Sequence, residues 1–183
     1  MDERFDLAVL GTGPGGYIAA IRAAQLGLRV VAIERDRPGG VCLNWGCIPS
    51  KAILSSAGLY DDIKNSRKHG IVCENVTFDY GEVIKRSRQA ADRLCKGVEF
   101  LFRKNKIRLV AGTGRLTSGK SLEVSAKEDG SRPMKIEADR ILLATGSTER
   151  VFPGLDVDGE RIMTSREAIV AKGIPASIAV IGG

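Results

Sequence analysis

The first 34 residues have an apolar pattern typical of a strand, a helix and a second strand. Residues 5–10 are mostly apolar and end at a glycine, which predicts a short buried strand. Apolar residues then recur at helical spacing from Tyr17 to Leu26, and Gly27 marks the end of that helix. Residues 29–33 are again apolar and rich in β-branched types. A strand, a helix and a strand within about 30 residues predict a parallel βαβ unit, and therefore an α/β fold with a parallel sheet.

The rest of the chain is predicted to contain two further helices and several short strands. One helix is expected from Asn44 to Leu59, and Pro49 must bend or delimit it because proline lacks a backbone N–H. A long amphipathic helix is expected over residues 83–105, and a buried strand over residues 140–144. Short strand-like segments separated by turn residues predict a small antiparallel β-meander laid against the main sheet. These segments are Ile107–Val110, Arg115–Thr117, Leu122–Ser125 and Met134–Glu137.

A glycine fingerprint connects the first strand to the first helix. Gly11, Gly13 and Gly16 occupy the three positions of the G-x-G-x-x-G pattern, and they suit a tight turn, a close approach to a pyrophosphate and close helix–strand packing. Pro14 suits the first helical turn, where its missing N–H costs nothing. Glu34 ends the second strand about 20 residues later, where a carboxylate accepts hydrogen bonds from ribose hydroxyls. The pattern predicts a Rossmann-like dinucleotide-binding domain and leaves FAD and NAD as alternatives.

The last seven residues repeat the character of the first strand. Residues 177–183 form an apolar run that ends in glycines, as residues 6–11 do. We therefore expect residues 1–150 to form one incomplete domain, followed over residues 151–183 by a linker and the first strand of a second, truncated nucleotide-binding domain. A lone strand that closes the first sheet is the alternative.

The chain has a net charge of +6, and much of it comes from one stretch. That stretch contains Lys85, Arg86, Arg88, Arg93, Lys96, Arg103, Lys104, Lys106 and Arg108. We interpret it as the solvated face of a helix, because no recognised nucleic-acid-binding signature accompanies it. No apolar run approaches the roughly 18 residues of a membrane span, and residues 1–4 do not resemble a signal peptide. A cytoplasmic protein is expected.

Two cysteines, Cys42 and Cys47, lie in a segment from Gly39 to Lys51 that we call the thiol segment. A disulfide between them would close a very small loop, which stabilises a fold less than a long loop does. Zinc would need two further ligands, and the candidates Cys73, Cys95 and His69 show no paired ligand spacing. A redox dithiol is therefore favoured over a structural disulfide or a metal site, and no metal is expected. The start of a helix at this point would favour thiolate for exchange.

The thiol segment, G-G-x-C-L-N-x-G-C-I-P-S-K, resembles the redox-active segment of the class I pyridine nucleotide–disulfide oxidoreductases. Leu43, Ile48 and Ser50 make it most similar to the dihydrolipoyl dehydrogenase branch, whereas valine more often replaces Leu43 and Ile48 in glutathione and mercuric reductases. The resemblance extends over essentially all 183 residues.

This resemblance implies a role for three residues. Cys42 would be the interchange thiol that reacts with the substrate, and Cys47 would be the charge-transfer thiol against the flavin. The cation of Lys51 would lie beside the flavin ring and favour reduced, anionic flavin.

The resemblance also implies FAD, not NAD, at the first fingerprint. Residues 145–147 resemble a second flavin-contacting segment, and residues 112–114 resemble the turn beneath the adenosine part. NAD would bind mostly beyond residue 183. The residues expected to contact FAD are Gly11, Gly13, Pro14, Gly15, Gly16, Glu34, Arg35, Gly40, Val41, Cys42, Cys47, Lys51, Gly114, Ala144, Thr145, Gly146 and Ser147.

Four other residues are given structural roles. Cys73 and Cys95 are expected to be small buried hydrophobes, and His69 a surface residue. Trp45 is expected to pack in the fold, with shielding of the flavin as the alternative.

The function implied by the resemblance is oxidation of dihydrolipoamide by NAD⁺ to lipoamide and NADH, in a full-length homodimer. The substrate would be carried by the lipoyl domain of a 2-oxo acid dehydrogenase complex. Mercuric or glutathione reduction, or a non-catalytic FAD-binding or thiol-based module, are the alternatives. The 183 residues alone are expected to be inactive.

Overall fold

The computed structural model describes residues 4–125, 133–150 and 152–182. The chain divides into two compact units. The first combines Met1–Asn44 with Ala91–Thr148, and the second combines Trp45–Ala90 with Glu149–Gly183. The domain bounds predicted from the sequence, 1–150 and 151–183, stay a prediction.

A six-stranded sheet forms the framework of the first unit, with the strand order β3-β2-β1-β6-β5-β4. The strands are β1 (Arg4–Leu10), β2 (Val30–Glu34), β3 (Arg108–Ala111), β4 (Thr113–Ser118), β5 (Ser121–Ser125) and β6 (Met134–Leu143). Parallel pairing joins β3 to β2, β2 to β1 and β1 to β6. Antiparallel pairing joins β6 to β5 and β5 to β4. The α/β class, the βαβ unit and an antiparallel meander are thus confirmed.

The membership of the meander differs from the prediction at two points. The segment predicted at Ile107–Val110 belongs to β3, which pairs in parallel with β2 and not with the meander. The segments predicted at Met134–Glu137 and Arg140–Ala144 are one continuous strand, β6. Its first residues pair with β5 and residues 137–143 pair with β1, so the meander continues the main sheet. A local apolar pattern identifies strands but not their partners, because pairing is a long-range contact.

The core of the first unit lies on the sheet. Its buried cluster consists of Phe5, Ala8, Val31, Ile33, Val110, Leu122, Val124, Ile136 and Ala138. Helix α1 (Pro14–Gln25) buries only small residues, Gly16, Ala20 and Ala23. Small side chains let a helix approach a strand closely. The start of α1 therefore lies directly at the carboxyl end of β1, where the fingerprint was found.

The remaining helices are α2 (Gly40–Asn44), α3 (Cys47–Lys64), α4 (Tyr80–Lys104) and α5 (Ser165–Ala168), with a 3-10 helix at Ser66–His69. The predicted helix over residues 44–59 therefore begins later, at Cys47, after a break at Trp45 and Gly46. Pro49 neither bends nor delimits α3, because it is the third residue of that helix. A proline in the first turn removes an N–H that would have no helical acceptor.

Residues 177–182 do not form the strand that the sequence predicts. Ile178, Val180 and Ile181 are 67%, 78% and 70% exposed. A strand needs a neighbour to accept and donate its ladder hydrogen bonds, and within the described ranges none pairs with these residues. Gly183 lies outside the described residues. No helix in the described part of the chain is long and apolar enough to cross a membrane.

Candidate functional site

The fingerprint loop, residues 11–16, requires glycine at two of its positions for reasons within the protein. Gly11 has a φ of +94°, and a Cβ there would lie 2.3 Å from the carbonyl oxygen of Ala144. A Cβ on Gly16 would lie 1.9 Å from the carbonyl oxygen of Gly11. These two glycines let the loop turn tightly and let α1 pack against it.

A second backbone segment, residues 38–40, lies against the fingerprint loop. A Cβ on Gly40 would be 2.6 Å from the Cα of Gly13, and Gly40 has a φ of +59°. The N–H of Gly39 donates to the carbonyl oxygen of Thr12 at 2.9 Å. The Nδ2 of Asn44 donates to the carbonyl oxygens of Pro38 and Gly40, each at 3.0 Å. The start of the thiol segment is thereby fixed beside the fingerprint loop.

The carboxylate of Glu34 lies at the carboxyl end of β2 and is tied to the fingerprint loop. Its Oε2 accepts hydrogen bonds from the backbone N–H of Thr12 at 2.9 Å and from the Thr12 hydroxyl at 2.6 Å. Its Oε1 accepts from the N–H of Asp36 at 2.9 Å. A carboxylate has about four lone-pair positions, so acceptor capacity remains for a ligand hydroxyl. The sequence did not single out Thr12, because nothing in the fingerprint requires a hydroxyl at that position.

Two further segments reach the same edge of the sheet. The N–H of Ala144 donates to the carbonyl oxygen of Leu10 at 2.8 Å, so residues 144–147 continue past the end of β1. The N–H of Gly112 likewise donates to the carbonyl oxygen of Glu34 at 2.8 Å. Gly114 has a packing reason of its own, since a Cβ there would lie 2.4 Å from the Cδ1 of Leu10.

The edge so formed fits the pyrophosphate and the ribose of a dinucleotide. Gly13 caps α1 without a side-chain hydrogen bond, and the first turn of α1 contains no acidic residue. The first N–H groups of a helix have no helical acceptor and attract anions. A Cβ on Gly15 would meet no protein atom within 4 Å, so this side of the loop is open. Several other predicted contact residues on the edge are exposed, namely Pro14, Arg35, Val41, Thr145, Gly146 and Ser147.

The three predicted catalytic residues all lie in helices. Cys42 is half-buried in α2, and Cys47, the first residue of α3, is exposed. Lys51 is exposed and lies four residues after Cys47 in α3. Side chains four residues apart share one face of a helix. The ammonium of Lys51 is therefore on the same face of α3 as the Cys47 thiol.

The structure confirms the predicted exposure or burial of two of the other candidate residues and contradicts that of the third. His69 is exposed as predicted, and Cys95 is buried as predicted. Burial raises the pKa of the Cys95 thiol, and the charge of Arg37 opposes that shift. Cys73 is exposed, so the prediction that it is buried was wrong. Ile71 and Val72, which precede it, are exposed as well, so this stretch of the chain lies at the surface.

The cations of the basic stretch, residues 85–108, are nearly all exposed. Eight of the nine are exposed, but Arg88 is half-buried and lies over the ring of Trp45. Within the described ranges, no group of three or more His, Cys, Asp or Glu side chains is arranged to hold a metal ion.

A family model described as pyridine nucleotide-disulphide oxidoreductase matches residues 5–183. The chain belongs to this family. Members of the pyridine nucleotide-disulphide oxidoreductase family with high similarity include the dihydrolipoyl dehydrogenase of Chlorobaculum parvum, which is 47% identical over 98% of this chain and 38% of its own length. The dihydrolipoyl dehydrogenase of Zymomonas mobilis is 44% identical over 100% of this chain and 39% of its own length.

A solved structure with the same fold is that of LpdA from Mycobacterium tuberculosis. Its TM-score is 0.81 at 28% identity, and the match covers 91% of this chain and 36% of that one. The chain thus spans somewhat more than a third of the length of the relatives it matches. In this chain, the Rossmann-like unit carries the glycine loop at the carboxyl ends of its parallel strands.

Proposed function

We propose that the chain is the FAD-binding, thiol-bearing part of a dihydrolipoyl dehydrogenase. The observation that carries the proposal is the contact between Gly40 and Gly13, where a Cβ on Gly40 would lie 2.6 Å from the Gly13 Cα. Cys42 follows Gly40 by two residues in α2. A thiol is therefore held close to the loop that fits the dinucleotide. Similarity to the dihydrolipoyl dehydrogenases of Chlorobaculum parvum and Zymomonas mobilis supports the choice of activity.

FAD would be held mainly by backbone groups at the strand edge. The N–H groups at the start of α1 would bind the pyrophosphate, and Glu34 would accept a hydrogen bond from a ribose hydroxyl. Residues 144–147 and Gly40 would line the same edge. When bound, FAD supplies two-electron transfer between the protein dithiol and a nicotinamide.

The thiols of this chain would carry the first half of the reaction. In the oxidised protein, Cys42 and Cys47 would form a disulfide. A thiolate of dihydrolipoamide would attack the sulfur of Cys42, and Cys47 would leave as a thiolate. The second substrate thiol would then attack the substrate sulfur of the mixed disulfide and displace Cys42. The products are lipoamide and two protein thiols, so two electrons and two protons have moved to the protein.

Lys51 would contribute a positive charge on the Cys47 side of α3. A cation near a departing thiolate stabilises the negative charge that develops there. Its position four residues after Cys47 supports this role.

The proposal includes three partners: NAD, the lipoyl domain of a 2-oxo acid dehydrogenase complex, and a second copy of the protein. The dihydrolipoyl dehydrogenase relatives support these partners, and a cytoplasmic location stays a prediction. Reduction of oxidised glutathione or mercuric ion, or a non-catalytic FAD-binding role, are the rival functions. Identities of 44% and 47% to dihydrolipoyl dehydrogenases favour the dehydrogenase.

The test uses the full-length protein that contains this chain, assayed with dihydrolipoamide, oxidised glutathione and mercuric ion. We expect turnover of dihydrolipoamide with NAD⁺. Cys47→Ser should abolish that turnover and leave bound FAD unchanged, whereas Cys73→Ser, at an exposed thiol outside the thiol segment, should preserve both. Turnover that survives Cys47→Ser would overturn the assigned role. Turnover of only glutathione or mercuric ion would overturn the substrate.

A further inference from the structure

Trp45 lies beneath two arginine side chains of the second unit. The guanidinium carbon of Arg88 is 4.7 Å from the centroid of the indole ring, and that of Arg166 is 4.1 Å from it. Both distances are within the roughly 6 Å at which a cation is attracted to the face of an aromatic ring. Arg88 comes from α4 and Arg166 from α5, so two separate helices converge on one side chain.

Trp45 lies two residues before the first residue of helix α3. Gly46 is the N-cap residue of α3, and Cys47 is the first residue of that helix. Gly46 has no side chain that could fix its own position. Trp45 is therefore the nearest preceding residue whose side-chain contacts can decide where α3 begins and how Cys47 is presented.

Each arginine comes from an anchored backbone. Arg86, two residues before Arg88, donates to the carbonyl oxygen of Ala52 at 2.8 Å and to the hydroxyl of Ser56 at 3.3 Å, which ties α4 to α3. Helix α5 begins with a capping box, in which the N–H of Thr164 donates to the carboxylate of Glu167 at 2.9 Å. The backbone positions of Arg88 and Arg166 are thus fixed by these hydrogen bonds, so both guanidinium groups start close to the indole ring of Trp45.

We propose that Arg88 and Arg166 are positioning residues that clamp Trp45 and thereby hold Cys47 in place for thiol–disulfide exchange. The proposal deepens the proposed dehydrogenase function and rests on it for the reaction, although the clamp itself rests on the three side chains alone. Arginine suits this task better than lysine because its planar group stacks on an aromatic face.

The test replaces each arginine in the full-length protein, singly and together, by methionine and by lysine. Arg67→Met is the matched control, because Arg67 is an exposed cation in the 3-10 helix of the same unit. Circular dichroism and FAD content report whether each variant folds. The lysine variants and Trp45→Phe are conservative changes that keep the comparison possible if a methionine variant does not fold.

Two readouts address the position of Cys47. The first is kcat for dihydrolipoamide, which should fall about tenfold in the double methionine variant with KM unchanged, because misplacing a reacting group slows chemistry without weakening binding. The second is amide exchange in peptides that contain Ser50, whose N–H donates to the carbonyl oxygen of Gly46 at 3.0 Å. That exchange should become at least about threefold faster as the first turn of α3 loosens. Lysine should restore part of both effects, and Arg67→Met should change neither.

A double-mutant comparison tests whether the arginines act through the indole ring of Trp45. In a Trp45→Leu background, replacing the arginines should change neither exchange nor kcat any further, because their shared partner is gone. Additive effects in that background, or unchanged exchange at Ser50 in the double variant, would overturn the clamp. If the unaltered protein does not turn over dihydrolipoamide, the proposed function fails, and the exchange measurements still decide the clamp.

Discussion

Glu34 and Thr12 join the ends of two neighbouring strands, since the Glu34 carboxylate accepts hydrogen bonds from both the N–H and the hydroxyl of Thr12. Thr12 is fully buried, and it follows β1 by two residues, whereas Glu34 ends β2. The pair fixes the orientation of the carboxylate relative to the fingerprint loop. The acceptor for a ribose hydroxyl is therefore oriented by the protein before any ligand binds.

Replacing Thr12 by valine tests this coupling. Valine is similar in shape but leaves Oε2 of Glu34 with only the backbone hydrogen bond. We expect the free energy of unfolding to fall by about 1.5–3 kcal/mol, the range for a hydrogen bond to a charged group. FAD affinity should fall as well, because the carboxylate loses its fixed orientation. Urea denaturation and FAD titration measure the two effects. Thr12→Ser keeps the hydroxyl and should retain most of both; an equal loss in the serine variant would contradict the explanation.

Alanine variants of Gly40 and Gly15 distinguish the packing role of the fingerprint loop from its proposed role in FAD binding. Gly40→Ala places a Cβ 2.6 Å from the Cα of Gly13 at a φ of +59°, so both stability and FAD binding should be lost. Gly15→Ala places a Cβ where no protein atom lies within 4 Å, so stability should be kept while FAD affinity falls. Thermal unfolding and FAD titration of both variants make the measurement. Full FAD affinity in Gly15→Ala would mean that the ligand does not approach this part of the loop.

The carboxylate of Asp158 holds a turn in the second unit through three backbone hydrogen bonds. Its Oδ1 accepts from the backbone N–H groups of Glu160, Arg161 and Ile162 at 2.8, 2.8 and 2.9 Å. These hydrogen bonds, that from Glu160 first, lower the pKa of the Asp158 carboxyl. Because the folded-state pKa lies below the unfolded value, the turn is fully stabilised above about pH 4 and loses that stabilisation as pH falls through the lowered pKa.

Amide exchange measures the effect at the turn itself. Protection of the three N–H groups, corrected for intrinsic exchange, should decrease as pH falls below about 4. Asp158→Asn keeps an acceptor oxygen that does not titrate, so its protection should be weaker near neutral pH and independent of pH. Protection in the unaltered protein that stays constant down to about pH 2 would rule out the carboxylate as its source.

The sequence predicted the elements of the candidate site better than the contacts between them. The fingerprint glycines and Glu34 were found because their spacing reflects a strand–turn–helix that is local in the chain. Thr12 was missed, because its hydroxyl acts on a residue in the next strand. Arg88 was assigned to a solvated face, because nothing in a run of cations indicates that a tryptophan more than forty positions away lies beneath one of them.

The same difference between local and long-range features holds for the whole chain. The sequence by itself determined the βαβ unit, the glycine loop and the spacing of Cys42 and Cys47, because periodicity and short motifs depend only on residues that are close together in the chain. Only the tertiary structure decided that β3 pairs in parallel with β2, that β6 joins the meander to the main sheet, and that Cys73 is exposed. Strand partners and burial depend on residues far apart in the chain, and their free energies are settled only when those residues pack together.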